Sequence, residues 1–329
     1  MSGIFEERGE VRDKPLDLPD GFVWSHFDTE TICEFINKYY IRDDTFKLSY
    51  DIDLVRRYLE SPTHHSICIS EKETGKIVGH ISSVPVTMRV SGDTIRMVQI
   101  NFLCVHPKYR SHGFAPLLIS EIKRIANTED IWQAVFTAVT TLPTPITKAN
   151  YWHRFLNVKN LVRSGFHKTN RVREKYYDLK ITNSPFRKMV VRDIPKVTKI
   201  LKNHFDTFKI APVISKEWVK RWILPLHSYV NDESDEFISF YSIPYERTDG
   251  THTVKQAYGH YMVGDVYQDA FTIAKNMGFD VFNILDVGEE TSKLEDLKFM
   301  KGTGFVNYYL FNWYLSDSVN AKDIMFKLP

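Results

Sequence analysis

Cysteine is scarce in this sequence, and two kinds of targeting segment are missing. The 329 residues include three cysteines, Cys33, Cys68 and Cys104, without the paired spacing of a disulfide framework or a zinc site. That usage is typical of a reducing compartment. Residues 1–15 are charged and lack the apolar core of a signal peptide, and no apolar run approaches the ~20 residues that a membrane span needs. We therefore expect a cytoplasmic protein without a membrane span.

Neither sign of charge is in excess, because the formal net charge is +2. This balance gives no indication of nucleic-acid binding. Neither a His-Glu-x-x-His motif nor any carboxylate cluster suggests a catalytic metal, so we expect no metal. The pair His64–His65 has no third ligand in the sequence around it and is predicted to lie on the surface. Aromatic residues make up 14% of the chain, which argues against disorder, and the length suits one large or two medium domains.

The most informative stretch is Met97–Pro116. Its near-continuous apolar beginning, Met97–Val105, is typical of a strand buried on both faces. A polar turn with the spacing R-x-x-G-x-A follows from Arg110 to Ala115, and a helical stripe starts at Leu117. The first N–H groups of such a helix have no internal partner and attract phosphate oxygens. The same pattern taken alone also fits a basic surface turn before a core helix.

Alternating strand and helix patterns indicate an α/β fold with two similar halves. Around the central stretch, the pattern predicts helices over 29–40 and 51–59 and strands over 66–70, 76–85, 86–90 and 131–137, while residues 1–17 look like a loose arm. In the second half it predicts strands over 236–244, 255–263, 280–285 and 305–314 and helices over 265–277 and 291–299. The second half has Val263-Gly-Asp265 in place of the R-x-x-G-x-A loop. This favours one cofactor site, in the first half, with substrate contacts from the second.

Longer motifs carry a resemblance to a known family. The R-x-x-G-x-A turn resembles the pyrophosphate loop of the GNAT superfamily of CoA-dependent acyltransferases. Six segments closely resemble the protein N-myristoyltransferase family, and the resemblance can be followed from Leu18 to Pro329. In chain order they are GHISSVP, NFLCVH, FTAVTTLPTPI, YWHRFLN, FDVFNILD and NYYLFNW. The resemblance implies two tandem GNAT-like folds packed about a pseudo-two-fold, with a mixed central sheet and flanking helices. It divides the chain into an arm (1–17), an N-terminal domain binding myristoyl-CoA (18–183) and a C-terminal domain binding peptide (184–329).

The resemblance also implies a monomeric enzyme that transfers myristate directly from myristoyl-CoA to the N-terminal glycine of substrate proteins. Backbone amides of Phe102 and Leu103 would form the oxyanion hole, which requires the strand to bulge or splay there. From the residues alone, both look like ordinary core. The implied CoA-binding positions are Phe102, Leu103, Cys104, Val105, Arg110, Ser111, His112, Gly113, Phe114, Ala115 and Pro116.

The proton acceptor that the resemblance implies is the carboxylate of Pro329. Four of the last six residues are apolar, which suggests a tail held inside the protein. A free α-carboxyl group has a pKa of ~3.5 and an α-amine one of ~7.8, so burial must bring the two together. Thr137 would relay the proton or hold the amine, although an ordinary β-branched strand residue also fits this position.

By the same resemblance, the peptide contacts are Tyr40, Phe46, Tyr151, His153, Ser239 and Asp286. The acidic loop at Asp43-Asp44 would meet basic residues of the substrate, although a solvated loop is the usual reading of such a segment. Tyr151-Trp-His153 also fits the start of a core-facing helix. The sequence departs from the family at His112 and Gly113, where the family loop is more basic, and at Val139, where the family often has glycine. The aromatic segment that covers CoA in the family is represented at most by Phe5.

Three alternatives compete with direct myristate transfer: a covalent mechanism, a short-chain acyl donor and binding without catalysis. A Cys104 nucleophile with His106 as base is conceivable because the two residues are two apart on a strand, but a buried structural cysteine fits the apolar run better. A GNAT-type N-acetyltransferase would use the same loop with a short acyl chain. A non-catalytic binder of N-terminal glycine peptides would have lost turnover through Val139 and the altered loop.

Overall fold

The computed structural model describes residues 2–41, 43–61, 63–167, 174–180 and 183–327. The chain forms two compact units. The first comprises Met1–Ala138, Thr144–Ile146 and Tyr308–Ser318, and the second Val139–Pro143, Thr147–Asn307 and Val319–Pro329. Each unit is a mixed α/β fold, as the alternating pattern predicted. The division into domains at residues 18–183 and 184–329, which was inferred from the sequence, stays a prediction.

The first unit follows the predicted order of elements closely. Its helices and strands are β1 (Phe22–Ser25), α1 (Thr29–Tyr39), β2 (Phe46–Leu48), α2 (Ile52–Leu59), β3 (His65–Glu71), β4 (Ile77–Val90), β5 (Asp93–Val105), α3 (Phe114–Thr128) and β6 (Gln133–Ala138). Pro85 does not divide the strand predicted in two pieces, and β4 runs through it to Val90. The helix predicted from Leu117 begins three residues earlier, at Phe114.

The sheet of the first unit places β5 in its interior. The strands lie in the order β1, β3, β4, β5 and β6. The first three pairings are antiparallel, whereas β5 and β6 are parallel and are connected through α3. Helix α3 repeats apolar residues at a spacing of four, and Phe114, Leu118 and Ile122 are buried against Ile67 and Ile81 of the sheet. The sequence thus predicted strand, turn and helix around the loop correctly.

Two expectations for the first unit are wrong. His65 is not on the surface but 7% exposed, with its ring nitrogens 3.0 Å from Ser83 Oγ and 2.9 Å from Glu129 Oε1. The arm at 1–17 is not loose at its beginning, since Gly3 and Tyr314 exchange both backbone hydrogen bonds. In both places polar partners distant in the sequence supply bonds that a local pattern does not reveal.

The second unit repeats the strand, helix, strand unit. Its elements are β7 (Thr147–Phe155), α4 (Val158–Arg163), β8 (Arg187–Lys188), α5 (Ile194–Phe205), β9 (Ile210–Pro212), α6 (Lys216–Trp222), β10 (His227–Val230), β11 (Phe237–Ser242), β12 (Tyr245–Arg247), β13 (Thr253–Val254), β14 (Gln256–Val263), α7 (Tyr267–Asn276), β15 (Val281–Leu285), α8 (Thr291–Asp296) and β16 (Met300–Phe311). Strands β14 and β15 are parallel and are connected through α7, as β5 and β6 are through α3. Strand β16 passes from the second unit to the first at Tyr308.

The core of the second unit explains why Tyr151-Trp-His153 is not helical. These residues lie in β7, which pairs antiparallel with β15 from Val281 opposite Phe155 to Leu285 opposite Tyr151. Trp152 faces a core with Phe271 and Phe282. The alternation of side chains along YWHRF therefore follows the period of a strand, and the alternative reading as a helix start is wrong.

A buried carboxylate joins β8 to the turn before α5. Asp193 is 6% exposed and accepts two hydrogen bonds from the Arg187 guanidinium, at 2.8 and 2.9 Å, and one from the Val190 amide at 2.8 Å. The Arg187 bonds, more than any other contact, lower the pKa of Asp193 to about 2, against the opposing effect of burial. Because the folded-state pKa is below the ordinary one, the stabilisation is present above pH ~4 and is lost as the pH falls toward 2.

We expect Asp193→Asn to lower the free energy of unfolding by roughly 2 kcal/mol at pH 7. This is less than the full pKa shift of Asp193 corresponds to, because Arg187 is partly exposed and solvent screens the ion pair. The difference from wild type should shrink as the pH falls from about 4 to about 2. Urea unfolding at several pH values measures it, with Asp17→Asn at an exposed carboxylate as the matched control. A difference that stays constant down to pH 2.5 would contradict the assigned role.

Candidate active site

Strand β5 bulges at the two residues whose amides the sequence analysis singled out. Asn101 pairs with Ser82 and Cys104 pairs with His80, so Phe102 and Leu103 together face one residue of β4. Phe102 has a φ of +52°, in the left-handed region. For a residue with a Cβ this conformation costs ~1–2 kcal/mol. The bulge that an oxyanion hole would require is therefore present, and a bulge turns backbone groups out of the ladder.

Aromatic packing holds the Phe102 side chain while its backbone departs from the strand. The ring is 2% exposed. The rings of Tyr40, Tyr50 and Tyr58 surround it at centroid distances of 5.9, 5.7 and 5.7 Å and at angles of 71°, 88° and 90°. Edge-to-face pairs of this kind each contribute ~0.5–1.5 kcal/mol. The structure thus brings Tyr40, a predicted peptide contact, against Phe102.

Two side chains of β4 bind carbonyl groups at the bulge, and the sequence analysis missed both. Ser82 Oγ donates to the Asn101 carbonyl oxygen at 3.2 Å, and His80 Nδ1 lies 3.1 Å from the Phe102 carbonyl oxygen. His80 is 0% exposed, and burial lowers its pKa to about 4, so the ring is neutral at pH 7. The available signal was a histidine and two serines within the apolar segment GHISSVP.

The R-x-x-G-x-A segment forms a tight turn that ends on the first residues of α3. Pro107–His112 is a 3₁₀ turn, and Gly113 ends it with a φ of +76°. Gly113 is also the N-cap of α3, and it supplies no side-chain hydrogen bond to the helix start. The first amides of α3 therefore have no capping side chain and favour an anion. Arg110 braces the turn by donating to the carbonyl oxygens of Val105 and Tyr39, each at 3.3 Å.

The other predicted CoA-binding residues lie on both sides of this turn. Cys104 and Val105 end β5, Ser111 and His112 are exposed in the turn, and Phe114, Ala115 and Pro116 form the first turn of α3. Phe114 is 0% exposed, so its side chain belongs to the core and its backbone amide is the group available at the helix start. The segment can present backbone donors with few side chains in the way.

Positive charge surrounds the start of the turn. Burial is the main cause that lowers the pKa of His106, and Lys38, Lys108 and Arg110 lower it further, while Glu71 raises it. The His106 ring packs against Tyr39 at a centroid distance of 4.4 Å. A group whose charged form is disfavoured by three nearby cations reports a positive local potential. An anion bound there would reverse that effect.

Cys104 does not have the properties of a nucleophile. Its side chain is 3% exposed, and burial raises the pKa of the thiol to about 12, against a smaller opposing effect of Arg110. Since the thiolate is the reactive form, almost none is available at pH 7. This agrees with the reading of Cys104 as a buried structural cysteine.

Thr137 lies just past the place where β5 and β6 stop pairing. The parallel register runs from Met97 opposite Gln133 to Gln99 opposite Val135. Thr137 follows two residues later on β6, and the bulge follows at Phe102 on β5. The partly buried Thr137 and the bulge therefore both lie beyond the end of the register. Val139, after the strand, is 64% exposed.

Asp43 lies in the acidic segment before β2, and Phe46 is the first residue of that strand. One Asp43 carboxylate oxygen accepts from the amides of Thr45 and Phe46, each at 2.7 Å. Phe46 is 6% exposed. The carboxylate thus closes a tight turn, while its residue stays exposed. Its contact with a substrate stays a prediction.

Among the predicted peptide contacts of the second unit, Tyr151 and His153 lie on β7. Their side chains alternate with the core residue Trp152, and His153 Nδ1 donates to Asn283 Oδ1 at 2.7 Å. The Asn283 side-chain amide donates in turn to Gln256 Oε1 at 2.6 Å. Burial lowers the pKa of His153 and raises the pKa of Tyr151 to about 12. Both side chains are therefore uncharged at pH 7.

Ser239 and Asp286 each bind backbone groups. Ser239 Oγ accepts from the Tyr261 amide at 3.1 Å and donates to the Tyr261 carbonyl at 3.3 Å, beside a register shift in β11. Asp286 accepts from the Asn150 amide, the Asn150 side chain and Trp152 Nε1 at 2.7, 3.0 and 3.2 Å. Ser239 thus links β11 to β14, and Asp286 links the end of β15 to β7. Their contact with a peptide stays a prediction.

The tail is buried as far as the structure describes it. Ile324, Met325, Phe326 and Lys327 are at most 6% exposed, and the Met325 amide donates to the Ile210 carbonyl at 2.8 Å. Lys327 Nζ lies 3.8 Å from Glu289 Oε1, and burial lowers its pKa. The expectation of a tail tied down inside the protein is confirmed up to Lys327. Leu328 and Pro329, which would supply the carboxylate, lie outside the described residues.

Over the described ranges, no three His, Cys, Asp or Glu side chains come together in a way that could hold a metal ion. In the same part of the chain, no helix combines the length and apolar character of a membrane span.

Comparison with known proteins accounts for both units. A family model for the N-terminal domain of myristoyl-CoA:protein N-myristoyltransferase matches residues 5–149, and one for the C-terminal domain matches residues 161–325. Glycylpeptide N-tetradecanoyltransferase 1 of Arabidopsis thaliana is 35% identical over 96% of this chain and 81% of its own length.

Solved structures agree with this assignment. The N-myristoyltransferase of Saccharomyces cerevisiae, solved with bound myristoyl-CoA, superimposes with a TM-score of 0.88 at 31% identity over 98% of this chain and 86% of that one. A GCN5-related N-acetyltransferase from Anabaena variabilis shares the fold at a TM-score of 0.51 and 14% identity, over 88% of this chain and 72% of that one. The bulged strand, the uncapped helix start and these likenesses lead to one conclusion: the chain belongs to the myristoyl-CoA:protein N-myristoyltransferase family of acyltransferases.

Proposed function

We propose that this protein transfers myristate from myristoyl-CoA to the N-terminal glycine amine of substrate proteins. The observation that carries the proposal is the bulge of β5 at Phe102 and Leu103, on the strand that leads through the turn Pro107–His112 to the uncapped start of α3. A thioester needs donors aimed at its carbonyl and a site for the CoA phosphates. In a family of acyltransferases, one strand and its turn supply both kinds of group.

In the proposed mechanism the glycine amine attacks the thioester carbon directly. The N–H groups of Phe102 and Leu103 stabilise the oxyanion, and loss of one such donor typically costs ~2.7–4 kcal/mol in an enzyme. The C–N bond forms, the C–S bond breaks, and CoA leaves as the thiolate or thiol. We assign no role to a metal.

We propose the Pro329 carboxylate as the base that takes the proton from the incoming ammonium. The ordinary pKa values of the two groups differ by ~4, equivalent to roughly 6 kcal/mol for the transfer. Burial reduces this difference because it raises the pKa of a carboxyl group and lowers that of an amine. The buried segment Ile324–Lys327 supports a desolvated tail. Thr137 would hold the amine or relay the proton.

The proposed CoA site uses the turn from Arg110 to Pro116 and the end of β5. The helix start and the neighbouring cations favour phosphate oxygens. The proposed peptide contacts remain Tyr40, Phe46, Tyr151, His153, Ser239 and Asp286 from the resemblance, and Asp43 from the charge of its loop. A cytoplasmic monomer as the working form is likewise a prediction.

The tail is tested by changing its carboxylate. We expect the chain lacking Lys327–Pro329 to lose at least ~100-fold in kcat, on the scale of lost general-base catalysis. The sharper comparison is between a semisynthetic chain with a C-terminal carboxamide and one ligated in the same way with the natural carboxylate. Transfer of labelled myristate to a Gly-x-x-x-Ser peptide is the assay. Equal rates for carboxamide and carboxylate would exclude the tail as base.

The acyl chain separates the proposal from an N-acetyltransferase. Each buried CH₂ contributes ~0.8 kcal/mol, so a long-chain enzyme should prefer myristoyl-CoA to acetyl-CoA by orders of magnitude in kcat/KM. The same peptide and both acyl donors are compared in one assay. Equal or reversed preference would favour the acetyltransferase. CoA affinity without turnover of either donor would contradict catalysis.

The His106 imidazole reports on phosphate binding. In the free protein, burial and then Lys38, Lys108 and Arg110 lower its pKa. Phosphate oxygens bound at the turn would offset these cations, so we expect its pKa to rise when CoA is added. Imidazole NMR signals followed across pH measure this, with His106→Gln for assignment and His252, a residue of the second unit, as an internal control. An unchanged His106 pKa at saturating CoA would place the phosphates elsewhere.

A further inference from the structure

Two side chains of β4 hold two consecutive carbonyl groups of β5. Ser82 binds the carbonyl of Asn101, and His80 binds the carbonyl of Phe102. These carbonyls belong to the two peptide groups on either side of the Phe102 Cα. The two hydrogen bonds therefore act on the part of the backbone that leaves the ladder.

Peptide geometry links these carbonyls to the proposed oxyanion donors. A trans peptide group is planar, so its N–H points opposite to its C=O. The peptide group whose carbonyl Ser82 holds carries the N–H of Phe102. The one whose carbonyl His80 holds carries the N–H of Leu103. Fixing the two carbonyl oxygens therefore fixes the directions of both amide hydrogens.

The His80 ring is itself held in one state. A carbonyl oxygen only accepts, so Nδ1 carries the proton, and Nε2, 3.1 Å from Ser66 Oγ, accepts from that hydroxyl. Burial keeps the pKa of His80 low, so the ring remains neutral and keeps this tautomer at pH 7. A chain of bonds thus runs from Ser66 on β3 through His80 to the bulge.

We propose that His80 and Ser82 are positioning residues for acyl transfer, which orient the Phe102 and Leu103 amides toward the thioester oxygen. The inference rests on the function proposed above. Neither side chain is assigned a contact with substrate. They act through two peptide planes, and the left-handed φ of Phe102 is the conformation that they support.

A purely structural role makes a different prediction. Buried carbonyls need hydrogen bonds wherever they lie, so loss of His80 would then lower stability and leave turnover unchanged. A positioning role lowers kcat while KM for both substrates changes little, because the amides matter most when negative charge develops on the oxygen. The split between kcat and KM therefore separates the two roles.

The test compares His80→Phe, which keeps a ring and removes both nitrogens, with His80→Asn, which keeps an N–H donor near the position of Nδ1. Since complete loss of one oxyanion donor costs ~10²–10³ in kcat, we expect misdirection in His80→Phe to cost roughly 10–100-fold. His80→Asn should recover most of that loss, and Ser82→Ala should show a loss of its own. KM for myristoyl-CoA and for peptide should stay within about threefold.

The matched control is His65→Phe. His65 is likewise a buried histidine of this sheet, bonded to Ser83 and Glu129, but it holds no carbonyl of the bulge. The substitution His65→Phe should lower the melting temperature and leave kcat unchanged. Wild-type kcat in folded His80→Phe and Ser82→Ala would overturn the proposal, and so would equal kcat losses in His80→Phe and His65→Phe. Should His80→Phe not fold, His80→Asn and Ser82→Ala carry the same comparison.

A spectroscopic readout separates this inference from the function beneath it. Myristoyl-CoA labelled with ¹³C at the thioester carbonyl should show a lower C=O stretching frequency when bound to wild type than when free, because the two amides polarise the bond. That shift should diminish in His80→Phe. If the wild-type protein shows neither the shift in the C=O stretching frequency nor turnover, the proposed function is contradicted. A full shift retained in His80→Phe contradicts only the positioning role.

Discussion

Phe102 adopts a left-handed backbone conformation inside a strand, and the interactions of its two flanking peptide groups and its ring hold it there. The conformation costs ~1–2 kcal/mol. Three edge-to-face contacts with tyrosine rings, at ~0.5–1.5 kcal/mol each, are sufficient to offset that cost. The hydrogen bonds to the neighbouring carbonyls then select one orientation of the peptide planes. Strain at this residue is therefore maintained by the fold, as is common where backbone groups serve a ligand.

The same strand connects the bulge rigidly to the start of α3. After β5 the chain turns through Pro107–His112, where the Lys108 amide donates to His106 Nδ1 and Arg110 binds two carbonyl oxygens. Helix α3 is then fixed by Phe114 and Leu118 in the core. The separation between the proposed oxyanion donors and the proposed phosphate site is thus set by packed elements. Such preorganisation is what a reaction between a bound thioester and an amine requires.

The sequence predicted the order of elements well because hydrophobic period and turn residues are local signals. Strand, turn and helix around Arg110–Ala115 were recovered, as was the repeated plan in the second half. The bulge was not predictable from the residues, because Phe and Leu disfavour a positive φ, and Asn101, which would tolerate one, is not the residue that adopts it. Only the family resemblance drew attention to the amides of Phe102 and Leu103. His65 and His80 were missed or misplaced for a related reason. Their partners Glu129 and Phe102 lie far along the chain, and a buried polar residue is recognisable only once its partner is known.

The proposed chemistry requires the bulge to present the amides of Phe102 and Leu103 to the acyl thioester. A crystal structure of the protein with a non-hydrolysable ketone analogue of myristoyl-CoA would show whether it does. We expect the analogue's carbonyl oxygen within ~2.7–3.1 Å of the backbone nitrogens of Phe102 and Leu103, with Phe102 still at a positive φ. A carbonyl oxygen bound elsewhere, or a β5 that becomes regular at Phe102 when the analogue binds, would contradict it.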